Sequence, residues 1–439
     1  ASASASMGIQ GLTKLLCDEC PGCIKEIELS SLTGRKIAID ASMAMYQFLI
    51  AVRSRSDGNS YASMLTNEAG EVTSHLQGMF HRTIRLLSNG IKPVYVFDGK
   101  PPTMKSGELL KREAKRVKAE ADHSEAKETG TAEDVDKFSK RLVHVTKQNN
   151  DDCKTLLQLM GVPVVNALCE AEAQCAAMAK GGLVFATGTE DMDALTFKTP
   201  KLIRKLTFGQ NSKQPILELD YQKILDELKI THDEFVDLCI LCGCDYTENI
   251  KGIGPKKALA FIRKYHSIEK IIENLDAKKY KVPKSWVSDI EVLPENGEED
   301  RKEVERSEES TVENGNEEGK GENGGIAETS EGKKENREGV PMYVEARRLF
   351  LEPEVYPCDS IEIKWTDPNV EELKDFLVTK MQFSEDRVDA GIKKLQDARK
   401  KGGQTRMDSF FKVVSTSSSS YSGKRPEPSN AGKGRGRGA

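Results

Sequence analysis

Strand-forming runs in this chain repeatedly end in carboxylates, and that repetition restricts the fold more than any other feature. Arg35–Ile39 runs into Asp40, and Val94–Phe97 runs into Asp98. Val162–Val165 leads to Glu170 and Glu172, and Leu183–Thr187 leads to Asp191 and Asp193. A seventh acid, Asp245, follows the apolar run Cys239–Cys242. Longer helical patterns separate these runs, which predicts parallel β-α units. The expected fold class is therefore α/β, with a central, mostly parallel sheet flanked by helices. Such sheets bind ligands beyond the carboxyl ends of their strands. Seven carboxylates gathered on one edge repel one another unless cations join them, and an all-oxygen donor set suits Mg²⁺ or Mn²⁺.

Charge distribution decides which partners such an edge serves. The net charge of −5 is concentrated: residues 295–339 carry 16 acidic against 7 basic side chains, so the rest of the chain carries +4. The acidic block lacks aromatics and is rich in Gly and Asn, a composition that buries no core and predicts disorder. No apolar run approaches the ~18 residues of a membrane span. Ala1–Ser6 is an Ala-Ser repeat that reads as an appended extension rather than a signal peptide. Ten cysteines, including the clusters Cys17/Cys20/Cys23 and Cys239/Cys242/Cys244, read as free thiols.

The expected organisation has an amino-terminal catalytic region over 7–113 after the extension at 1–6, with further parts over 134–286 and 344–402. A charged helical stretch continues over 114–133, its apolar stripe thin enough to predict partial mobility. The acidic insert takes 287–343, and a Ser- and then Gly/Lys/Arg-rich tail takes 413–439. Surface insertions of this kind are tolerated because loop closure costs grow slowly with length.

Three constellations carry chemistry. Singly, Asp40 or Asp98 could cap a helix, and Glu170 and Glu172 could complement a helix dipole. As a set they suit phosphodiester hydrolysis by two hard cations about 4 Å apart. Lys105 and Arg112, two helical turns apart, could neutralise charge on the phosphoryl oxygens, although a solvated helix would look alike. In Asn249–Ala258, Gly252 and Gly254 flank Ile253 and a helix starts at Pro255. This pattern, near 249–260, resembles the helix-hairpin-helix that grips a phosphate backbone through helix amides, with Lys256 and Lys257 as donors, although a tight turn between helices would look alike. Over 403–412, Gln404 is followed by Met407, Phe410 and Phe411, the spacing of short segments that dock on sliding clamps.

Met7–Leu12, Ile39–Ser42, Val94–Pro102, Glu170–Ala173, Thr189–Asp193 and Gly243–Tyr246 together resemble the eukaryotic flap endonucleases. The resemblance implies a PIN-like five-prime nuclease fold with a helical arch, and removal of five-prime flaps from branched DNA in Okazaki fragment maturation and long-patch base excision repair. It implies five-prime exonuclease activity as well. A paralogous exonuclease or gap nuclease is the near alternative, and a non-catalytic junction and clamp-binding scaffold the alternative of another class. Carried over by motif, Asp40, Asp98, Glu170, Glu172, Asp191, Asp193 and Asp245 ligate two Mg²⁺ ions, for which Mn²⁺ can substitute. Lys105 and Arg112 lie on the arch; with Asp191 they form the implied catalytic set. Tyr46 stacks on a base, while Arg53 and Arg82 lie near the template strand. Arg112, Glu170, Gly243, Asp245 and the hairpin residues complete the DNA contacts, with K⁺ at the hairpin. The implied partners are flap DNA and the trimeric clamp, proliferating cell nuclear antigen, bound by a monomer in the nucleus, with the nucleolus and mitochondrion as further sites. Three departures stand out. Ala1–Ser6 precede Met7 and are expected to lower activity; the loop Ser54–Ser63 is longer; and the acidic block is extra.

Overall fold

The structure, a computed structural model, describes residues 8–53, 73–129, 145–206, 215–287 and 339–401, with single positions between 131 and 142. Helix α1 (Leu12–Glu19) and strand β1 (Ile24–Ile27) lead into β2 (Lys36–Asp40). Helices α2 (Ala41–Arg53) and α3 (Ser74–Ser88) precede β3 (Lys92–Phe97). Then come α4 (Ser106–Thr129), α5 (Lys147–Leu159), β4 (Val164–Asn166) and α6 (Ala171–Lys180). Strand β5 (Ala186–Gly188) is followed by one turn, α7 (Asp193–Thr196), and by β6 (Lys201–Arg204) and β7 (Ile216–Asp220).

The seven strands form one sheet in the order β1-β7-β6-β5-β2-β3-β4. Strands β4, β3, β2, β5 and β6 run parallel, while β7 and β1 close one side antiparallel. The chain leaves β2 towards β3 and later returns to its other flank at β5, so a topological switch lies beside the carboxyl end of β2. Register aligns those ends: Asp40 faces Val96, and Ile39 faces Gly188.

Strand β2 is buried along Ile37–Asp40, as expected where helices cover both faces. Ile37 and Ile39 pack with Phe48 of α2, Phe80 of α3 and Leu156 of α5. Ala38, Val94 and Val96 meet Ala171, Cys175 and Met178 of α6 on the opposite face. A third cluster joins α1 to the carboxyl-terminal helices α8 (Tyr221–Leu228), α9 (His232–Cys242), α10 (Pro255–Tyr265) and α11 (Ile268–Glu273). Thr231 starts α9 with a capping box to Glu234. Beyond residues 288–338 follow α12 (Met342–Leu351), α13 (Val370–Lys374) and α14 (Glu385–Lys401), the last lying along α3.

The two flanks of 288–338 meet. The Trp286 and Tyr343 rings lie 5.2 Å apart, and Trp286 Nε1 donates to Thr247 Oγ1 at 2.7 Å. Arg347 of α12 pairs with Asp237 of α9 at 2.6 Å and with Glu269 of α11 at 2.8 Å.

The apolar run Cys239–Cys242 is the end of helix α9, so Asp245 reaches the sheet edge from a helix terminus, unlike the acids that follow strands. The charged stretch after Lys105 forms one continuous helix of 24 residues, Ser106–Thr129. Strong helix formers and local pairs such as Glu108–Arg112 support it where the apolar stripe does not. Residues 288–338 of the acidic insert, the clamp-like segment with Gln404, Met407, Phe410 and Phe411, the loop after Arg53 and the first seven residues lie outside the described residues, while Met342 and Tyr343, counted with the insert, begin helix α12.

Candidate active site

Parallel strands place their ends together, and at this edge each end delivers an acid. Asp40 closes β2, where Met43 N donates to its Oδ1 and Thr189 Oγ1 to its Oδ2, both at 3.0 Å. Asp98 follows β3 and accepts from Ala171 N at 2.8 Å, so it caps α6 from a neighbouring strand. That same helix start carries Glu170 as its cap residue and Glu172 in its first turn. After β5, Asp191 accepts from Asp193 N at 3.0 Å, and Asp193 accepts from Ile9 N at 2.9 Å. The backbone of Gly8 is tight against this pair: a Cβ there would stand 1.9 Å from Asp191 Oδ1.

Helix α4 and the turn before it bring the cations. Lys105 Nζ lies 2.5 Å from Glu170 Oε1 and 3.4 Å from Asp245 Oδ2. Arg112 Nη2 lies 2.7 Å from that same Asp245 oxygen, while its Nε reaches back to Glu108. Tyr246 O–H donates to Glu170 Oε2.

Electrostatics ties the cluster together. Burial, then Asp98 and Asp191, pushes Asp40 up to about 7. Burial raises Glu172 well above the usual carboxylate range, and Asp40, Asp98 and Asp191 add to this. Asp193 rises through burial and the charges of Asp191 and Asp245. Burial would lower Lys105, but Glu170, Glu172 and Asp245 outweigh it and hold the amine charged. Even so, one lysine and one arginine do not balance seven carboxylates.

This donor set fits hard divalent cations. It is all oxygen, Asp40, Glu170, Asp191 and Asp193 are buried, and the charged forms of Asp40, Glu172, Asp191 and Asp193 are disfavoured without added positive charge. Among the described residues, no three of these side chains already surround one point as the donors of a single ion would. They lie near enough for their charges to act on one another, and Lys105 bridges Glu170 and Asp245.

The other expected residues fall into three groups. Tyr46 is half-buried on α2, close enough for the Arg112 charge to act on it. Arg82 lies with its guanidinium 4.1 Å from the centre of the Phe48 ring, so part of it is packed into the core. Arg53 ends α2, but its side chain lies outside the described residues. In the hairpin, Gly252 takes φ +89° and Gly254 caps α10. Lys257 donates to the Gly252 carbonyl at 2.9 Å, and Lys256 pairs with Asp18 at 3.0 Å. Gly243 ends α9 at φ +108° and its carbonyl accepts from Gln10 N.

Reading the sequence missed the residues that orient these acids: Thr189, Tyr246 and the Ile9 amide. The available signal was adjacency, since Thr189 is two residues before Asp191 and Tyr246 follows Asp245 directly.

Comparison with known proteins places this arrangement. Models of the XPG N-terminal domain and the XPG I-region match residues 7–119 and 161–245. Flap endonuclease 1 of Phaeodactylum tricornutum is 54% identical over 418 residues, 95% of this chain and 94% of that protein. The chain belongs to the flap endonuclease 1 family. Its relative in Nematostella vectensis is 50% identical, with 94% and 93% of the two chains covered. Among solved structures, flap endonuclease-1 from Methanococcus jannaschii superposes with a TM-score of 0.57 at 30% identity, covering 86% of this chain and 96% of that one. The catalytic core of Rad2 in complex with DNA substrate gives 0.58 at 21% identity, covering 88% of this chain and 100% of that one, a likeness of fold alone.

Proposed function

We propose that this chain is a structure-specific nuclease, a hydrolase that cuts DNA phosphodiester bonds at five-prime flaps in replication and repair. The observation that carries the reading is the meeting of seven carboxylates from four strand ends and α9 with two cations supplied by α4 and its preceding turn. Family membership supports the reading independently.

Asp40, Asp98, Glu170, Glu172, Asp191, Asp193 and Asp245 would hold two Mg²⁺ ions directly or through water. Such ions supply activation of water and neutralisation of the phosphoryl oxygens. The protein's own share is positional. Thr189 and the Met43 amide aim Asp40. Ile9 and Asp193 fix the Asp193–Asp191 pair on one side of the site. Lys105 and Arg112 hold positive charge beside Glu170 and Asp245, where a scissile phosphate would meet it. Tyr46, half-buried within reach of the Arg112 charge, would stack on a base next to the junction. Gly252, Gly254, Lys256 and Lys257 would grip duplex phosphates with the amides of α10, with K⁺ at the turn. Lys256 and Lys257 would have to exchange their present partners for phosphate.

The segment with Gln404, Met407, Phe410 and Phe411 would recruit the chain to a trimeric sliding clamp in the nucleus. Phe410→Ala/Phe411→Ala should weaken clamp binding by at least tenfold in titration. Unchanged affinity would remove the docking role.

The deciding experiment is cleavage of labelled double-flap DNA with Mg²⁺, beside single-stranded and blunt-duplex controls. Cutting at the flap base, abolished by EDTA and slowed at least ~10²-fold in Asp191→Ala with DNA binding retained, is the expected result. Full cleavage by Asp191→Ala would refute the metal assignment.

A further inference from the structure

Cys20 caps the carboxyl end of α1, and Cys23 ends the single 3-10 turn Pro21–Cys23. Their Sγ atoms are 3.3 Å apart, and both residues are buried. A disulfide would bring the sulfurs from 3.3 Å to about 2.05 Å and turn the Cβ–S–S–Cβ torsion to about 90°. Pro21 and Gly22 between them are exposed, so the pair brackets a surface turn. Cys17, on α1, is exposed.

Helix α1 is tied at both ends to functional elements. Before it, Gly8 and Ile9 abut Asp191 and Asp193, and Gln10 N donates to the Gly243 carbonyl. A Cβ on Gly11, its N-cap, would meet Pro255 of α10 at 2.9 Å. Asp18 pairs with Lys256, and Glu19 lies 3.7 Å from Arg263, both on α10. A shift of α1 is therefore felt at the acid cluster and at the hairpin helix together.

We propose that Cys20 and Cys23 form a reversible disulfide under peroxide, and that closing it displaces α1 and slows DNA cleavage. The 3.3 Å pairing of the two sulfurs draws the Cys23 thiol down and pushes Cys20 up, favouring Cys23 as the attacking thiolate. Its sulfur attacks one peroxide oxygen, the O–O bond breaks and hydroxide leaves, giving a sulfenic acid. The Cys20 sulfur then attacks that sulfur, giving up its proton as the S–O bond breaks and a second hydroxide leaves. The two thiol protons convert both hydroxides to water. Two thiols lose two electrons in all, and peroxide gains them. A thiol reductant reverses the change by exchange.

The cleavage part rests on the nuclease reading; the disulfide part does not. The test treats the full chain with hydrogen peroxide, blocks remaining thiols, maps peptides by mass and assays double-flap cleavage before and after dithiothreitol. The wild type and Cys17→Ser should lose two hydrogens on the Cys20–Cys23 peptide and cleave about tenfold more slowly, since ångström-scale displacement is costly in an active site. Dithiothreitol should restore both. Cys20→Ser and Cys23→Ser should cleave alike with and without peroxide. Oxygen adducts confined to Cys17, or a closed disulfide with unchanged cleavage, would overturn the proposal. Peptide mapping of the wild type needs no variant to fold. Absence of cleavage in the reduced wild type would count against the nuclease reading, leaving the mass result to decide the disulfide.

Discussion

Gly8 has no room for a side chain. Its φ is +76°, and an added Cβ would sit 1.9 Å from Asp191 Oδ1 and 2.7 Å from Asp193 Oδ1. Gly8→Ala must therefore move a carboxylate or the backbone that holds Ile9. We expect single-turnover cleavage to fall about 10²-fold, with the melting temperature changed little; unchanged cleavage would show that the contact is without consequence. At this scale the sequence was most legible where residue type and position sufficed. Acids at strand ends announce themselves, because parallel strands can only bring their ends together. Thr189 and Tyr246 did not, since a hydroxyl acquires its role from partners far along the chain, Asp40 and Glu170. The hairpin lysines show the converse. Their spacing suggested two cations directed at phosphate, yet Lys256 faces Asp18 and Lys257 folds back on Gly252.

Among the elements, α4 was the least legible. Its mean pattern is polar, and Leu110 remains 70% exposed, so periodicity alone gave no reason for order. What holds it is propensity, local ion pairs and the two anchors Lys105 and Arg112, and the last are visible only once Asp245 is known to lie opposite. Strand β5 was longer in expectation than in fact, because Leu183–Phe185 form the approach to the sheet rather than part of it. Helices α9, α11 and α12 share a different device. Arg347 makes forked contacts to Asp237, whose side chain is 4% exposed, and to Glu269. Removing one partner of such a group leaves a buried charge unmatched. Arg347→Ala should lower unfolding free energy by about 3 kcal/mol in urea titration. A loss below about 1 kcal/mol would show that water replaces the guanidinium.

For the whole molecule, strand-helix alternation conveyed a parallel sheet, but not its strand order or the antiparallel pair β7 and β1. Order depends on which side of β2 the chain returns to, a choice made by packing helices on both faces. The contact between Trp286 and Tyr343 acts at this same scale, closing the fold on either side of residues 288–338. Replacing those residues with a short Gly/Ser linker should leave flap cleavage intact and raise stability slightly, by ~0.6 kcal/mol per halving of length. A drop in melting temperature of several degrees would mean that the segment contributes to the fold. On that expectation, the side chains that fasten both flanks would make the peptide between them a cassette, open to a reporter, an affinity handle or a lineage's own regulatory sequence without retuning the catalytic edge.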